Sequence, residues 1–182
     1  MWMLALMAAA AAPAPIESAT LPLPPEMRAS ASIVSIDRTG KLTRLREGTG
    51  KMVCIADAPG DDVFDARCYH RDFIPYLYRS WTLEAGGLSE EKADARIEQE
   101  LKAGTFHMRL TPSAGYRMYG PITALNKDGT GWTDKINRWQ SLHIPRATAE
   151  DLGLVTANKP LMPYVMASGT LWAHVMINSP PD

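Results

Sequence analysis

The spacing of apolar residues changes twice along this 182-residue chain, and that change limits the fold more than any other feature. Between residues 69 and 103 the spacing is helical. Phe73, Leu77 and Trp81 fall at i, i+4 and i+8, and Ile74 and Tyr78 widen the stripe. Pro75 must then sit in the first turn. Gly86 and Gly87 break the helix, and Ser89 followed by Glu90 and Glu91 starts a second. Ala93, Ile97 and Leu101 share a face of that second helix, Glu98 and Lys102 stand at a favourable ion-pair spacing, and Gly104 stops it. On either side the period drops towards two. ASIVSI, LTRLR and KMVCI read as short strands before the helices. TFHMRL, GYRMYG, INRWQSLHI and TLWAHVMI read the same way after them. In INRWQSLHI, Ile136, Leu142 and Ile144 oppose Asn137, Trp139, Ser141 and His143. In TLWAHVMI, Leu171, Ala173, Val175 and Ile177 oppose Trp172, His174 and Met176. Strands, a helical pair and strands again predict an α+β fold: an antiparallel sheet with two helices packed on one face, strand order open.

The chain starts with MWMLALMAAAAA, too short a run to span a bilayer as a helix but suited to a secretory signal. No Lys or Arg precedes Arg28, so the basic start of such a signal is missing. Residues 1–19 are read as a signal peptide, 20–30 as a Pro-rich linker and 31–182 as one globular domain. Nineteen basic against 20 acidic residues give a net charge of −1, which offers no electrostatic reason to seek nucleic acid or an anionic membrane. No later run is apolar enough for a transmembrane anchor. The expected location is the periplasm or the medium.

In that oxidising setting the only two cysteines, Cys54 and Cys68, are expected to form a disulfide. ADAPGDDVFDAR between them reads as loop, which the bridge would fix against the following helix. Closing a loop of about 15 residues contributes roughly 3 kcal/mol. The loop's Asp57, Asp61, Asp62 and Asp65 do not match the spacing of an EF-hand. They read as solvated turn caps.

Motifs for chemistry are few. There is no G-x-S-x-G, H-E-x-x-H, Walker loop or G-x-G-x-x-G. His70, His143 and His174 are the candidate metal ligands, with His107 the fourth histidine. His143 and His174 share strand faces with Trp139, Trp172 and Met176, so a metal could sit between neighbouring strands; His174-Val175-Met176 would suit Cu(I). The preferred reading is that each histidine is singly bonded in its own place, since lone histidines are more often structural than ligands. Ser141 and His143 fall on one strand face, but neither an orienting acid nor an oxyanion hole is identifiable. The aromatic residues could line a ligand groove or a core.

VCIADAPGDDVFDARCYHRDFIPYLYRS, LHIPRATAEDLGL and YVMASGTLWAHVMI resemble segments of a family of exported bacterial proteins without assigned activity. The likeness spans residues 50 to 177 and maps Cys54, Cys68, His70, Gly169, Thr170 and His174 as its recurring pattern. It implies a shared fold and export, and no activity. The expectation is thus a non-enzymatic exported domain that binds a small molecule or a protein, with no cofactor. The alternative is a metal-binding protein or metal-dependent enzyme.

Overall fold

The structure is a computed structural model and describes residues 16–37, 39–58, 60–158 and 162–178. Within these, one sheet holds β1 (Ser32–Ile36), β2 (Leu42–Arg46), β3 (Met52–Ile55), β4 (Val63–His70), β5 (Ser113–Pro121), β6 (Asn137–His143), β7 (Tyr164–Met166) and β8 (His174–Asn178). Their order is β2-β1-β3-β4-β5-β6-β8-β7. The fold is α+β, but the sheet is mixed: β1 and β3 run parallel and every other pair antiparallel. The cause is topological. β3 takes the free edge of β1 instead of the far side of β2, and the third strand of an up-down-up run must parallel the first.

Besides the short α1 (Pro25–Arg28), the helices are α2 (Ile74–Ala85) and α3 (Glu90–Lys102). Pro75 lies in the first turn of α2, and Ser89 caps α3, its Oγ accepting from the Lys92 N–H at 3.4 Å. Both helices cover one face of the sheet, burying Phe73, Leu77 and Ile97 against Val34, Val53, Ile55 and Tyr69. Glu98 takes another partner than the one expected from helical spacing. Arg146 donates to both of its carboxylate oxygens at 2.8 Å, tying α3 to the turn after β6.

Residues 16–31 cover the opposite face. Ala19 and Leu23 are buried with Ile33, Met52 and both cysteines, and Leu21 with Phe64, Ala66 and Met118. Residues 18–23 are therefore core, so the start of the stretch read as linker is buried, while 24–30 lie half-buried or exposed. Its prolines hid this, because Leu21 and Leu23 follow neither a helical nor an extended run. Residues 1–15, most of the expected signal, lie outside the described residues.

Three other expectations fail. The second half of ADAPGDDVFDAR is not loop: Val63–His70 is a central strand, paired with β3 and β5. TFHMRL forms no strand; Phe106 and Met108 instead pack on the helical cluster. Cys54 and Cys68 are direct register partners with Cα atoms 4.0 Å apart, joined by a disulfide. The bridge thus staples neighbouring strands, not a loop to a helix. Among the described residues no helix is long and apolar enough to cross a membrane.

Candidate functional site

Strand alternation gives each sheet face every second residue, and register partners stand side by side. On the helix-bearing face this builds three rows. Arg67, Arg117 and Trp139 form the first. Tyr69, Gly115, Ser141 and Met176 form the second. Ser113, His143, His174 and Met166 form the third. Trp172, from the turn before β8, stands over them, its ring 4.7 Å from that of His143 and 5.3 Å from that of His174. All of these except Ser113 and Gly115 border a cleft of about 140 Å³.

The turn that carries Trp172 is anchored from several sides. Gly169 takes a φ of 81°, open to glycine without cost. Thr170 donates from Oγ1 to the Ala167 carbonyl at 2.8 Å and accepts from the Trp172 N–H at 3.1 Å. Asp94 of α3 accepts from the Leu171 N–H at 3.4 Å and from the Tyr76 hydroxyl of α2 at 3.1 Å. Burial raises the Asp94 carboxyl above its ordinary range, against the pull of these two donors. The cleft wall is therefore fixed to both helices.

The charges of the cleft centre on Asp65. Arg117 donates to its two carboxylate oxygens from Nε and Nη2 at 2.9 and 2.8 Å, and Arg67 does the same at 3.0 and 2.5 Å. Desolvation pushes Asp65 up, but the two guanidiniums outweigh it and hold the carboxyl below its ordinary value. Two cations share one anion. Arg117 also lies over the rings of Tyr119 and Trp139, at 5.1 and 5.2 Å from their centroids. No carboxylate lines the cleft itself. A hollow of about 400 Å³ next to it, lined by Asp57, Asp61 and Asp65, is larger. Those aspartates are already engaged. Asp57 accepts from the Asp65 N–H at 2.9 Å, Asp61 caps the Val63 N–H at 2.9 Å, and Asp65 holds the arginines. We therefore place the site in the smaller cleft.

His143 is 1% exposed, packed among the rings of Phe73, Tyr69, Trp172 and His174. Burial, with a smaller push from His174, lowers it to a pKa of about 3. Its Nε2 lies 3.1 Å from Ser141 Oγ, and its buried Nδ1 has no partner. An orphaned N–H is rarer in folded proteins than an orphaned acceptor. We assign the proton to Nε2, donating to Ser141, whose own hydrogen is then directed elsewhere. His174 Nδ1 lies 2.7 Å from the Trp172 carbonyl, which can only accept, so Nδ1 carries the proton and Nε2 is an acceptor. Burial also lowers His174, against that bond.

Of the three candidate ligands, the structure brings together two. The rings of His143 and His174 are 4.9 Å apart. His70 alternates with Tyr69 onto the opposite face, where its Nδ1 accepts from the Asp72 N–H at 3.3 Å. Among the described residues no three His, Cys, Asp or Glu side chains are placed to share a metal ion. His107 is exposed in the segment after α3, and Ser168 is taken up by the Ala149 N–H at 2.9 Å. Arg67 and Arg117 escaped the sequence reading. The alternation V-F-D-A-R-C-Y-H, obscured by the Pro, Gly and Asp before it, was the available signal.

No family model, curated protein or solved structure matches this chain.

Gly115 stands between Tyr69 and Ser141 in the register, beside the cleft. A Cβ there would stand 2.6 Å from Ser141 Oγ and 2.7 Å from His143 Nε2. Serine can rotate away, but His143 is locked among aromatic rings. Gly115→Ala should therefore destabilise by about 1–3 kcal/mol, the usual cost of overpacking, read as a lower urea midpoint.

Proposed function

We propose that this chain is an exported, disulfide-stabilised domain that binds a small molecule in the cleft between Trp139 and Trp172 without transforming it. The observation carrying this reading is the pairing of open donors with an inert histidine. Arg67, Arg117 and Ser141 border a small aromatic cleft, while the adjacent His143 has a pKa of about 3. A general base works best near the ambient pH and needs an orienting group on its second nitrogen. His143 has neither, so the Ser141–His143 contact fits positioning, not nucleophilic attack.

Export is supported by the apolar start of the chain and by the Cys54–Cys68 bridge, which suits an oxidising compartment such as the periplasm or the medium. Thermal-shift screening against a library of small organic molecules tests the binding. A subset should raise the melting temperature of the wild type and lose that effect in Trp139→Ala. Hydrolysis of p-nitrophenyl esters should not exceed that of Ser141→Ala. Turnover abolished in that variant would overturn the reading in favour of a hydrolase.

A further inference from the structure

We propose that the molecule taken by the cleft is a monoanionic carboxylate carried on a single aromatic ring; this rests on the binding reading above.

Charge comes first. The cleft is lined by two guanidiniums and no carboxylate, and Asp65 behind them neutralises only one. The excess is a single positive charge, which matches a carboxylate better than a phosphate dianion. Geometry agrees. Each arginine uses Nε and Nη2 on Asp65. Arg67 is also bonded to the Tyr69 hydroxyl, and Arg117 keeps its Nη1 edge pointing away from that carboxylate. A planar guanidinium edge is suited to a planar carboxylate. The Tyr69 hydroxyl lies against Arg67 and burial keeps it protonated, so its hydrogen is a further donor. Ser141 adds another, because His143 donates to its oxygen.

Arg117 is fixed beyond its bond to Asp65. It is held over Trp139 and Tyr119, so its open edge is presented without much loss of side-chain freedom.

Size and walls set the rest. About 140 Å³ is the scale of a cavity that accommodates one benzene-sized ring. Apolar contact is available from the side chains of Trp139 and Trp172 and from the thioethers of Met166 and Met176, soft surfaces that favour aromatic partners. An aliphatic acid of the same charge would leave these walls unpaired.

The test titrates the disulfide-intact protein with sodium benzoate, benzamide, acetate and inorganic phosphate at matched ionic strength, followed by calorimetry. Benzoate should bind at least tenfold more tightly than the isosteric, neutral benzamide and than either acetate or phosphate. Arg117→Gln should cut benzoate affinity at least tenfold and leave benzamide unchanged. That variant retains the Arg67–Asp65 pair, and its melting curve reports whether it folds. If it does not, Ser141→Ala serves in its place, with a several-fold loss for benzoate alone. Equal binding of benzamide and benzoate would overturn the carboxylate while leaving a ligand cleft. Tighter binding of acetate would overturn the ring, and tighter binding of phosphate would overturn the carboxylate. Binding of none of the four would overturn the inference, and the library screen would then decide the binding reading separately.

Discussion

Replacing both bridged residues, Cys54→Ala with Cys68→Ala, should lower the stability of this domain by about 3 kcal/mol, the chain-entropy value for a loop of this length. For a chain of 182 residues that is a fall of roughly 6–12 °C in melting temperature. The two residues are 14 apart in sequence and form a register pair between β3 and β4. Both sulfurs are inaccessible, buried with Ala19, Leu23, Ile33 and Met52. A reductant should therefore act slowly on the folded protein, with reduction tracking the opening of the strands. Thermal melts of wild type and double variant, with alkylation of native and denatured protein, check both parts. Equal melting temperatures would mean that the staple carries none of the fold's stability.

Acidification should be the second large effect. His143 binds its proton at about pH 3 in the fold and at about 6.5 once unfolded. Between those values the unfolded chain holds the extra proton, so stability is complete above about pH 6.5 and is lost as pH falls. By pH 5 His143 alone costs about 2 kcal/mol. His174, lowered by burial, adds in the same sense. Asp57 and Asp94, raised mainly by burial, act in the opposite sense near the carboxylate range. Asp65, held down by its arginines, contributes stability that is lost only in stronger acid. The comparison is therefore made between pH 7.5 and pH 5. Urea midpoints should fall over that interval, and His143→Phe, which keeps a ring among Phe73, Tyr69 and Trp172, should flatten the fall. An unchanged slope in His143→Phe would assign the acid sensitivity to other groups.

Much of the helical layer is legible in the sequence because each local signal agrees with the packing. Pro75, Ser89, Ala93 and Ile97 all do what their positions require. The sheet is less legible, for two physical reasons. Asp, Pro and Gly before Val63 look like a loop, and a two-residue period in β4 competes poorly with that composition. TFHMRL shows the converse: it alternates well, yet Phe106 and Met108 find the helical cluster and no partner strand. A period describes which faces are apolar, not whether a neighbour's hydrogen bonds are available. Side-chain parity carries further. It puts Ser141 and His143 on one face, and His174 and Met176 likewise, before any pairing is known. Which strands adjoin is set by long-range contacts, so the meeting of Arg67 with Arg117, and the exclusion of His70, follow only from the register of β4 with β5 and β6.

The most direct test of the cleft as a binding site is a ¹H–¹⁵N spectrum of the tryptophan indoles during titration with benzoate. Trp81 and Trp132 lie outside the cleft and serve as internal controls. The indoles of Trp139 and Trp172 should shift together and saturably while those of Trp81 and Trp132 stay in place. Shifts centred on Trp81 or Trp132, with Trp139 and Trp172 unmoved, would contradict it.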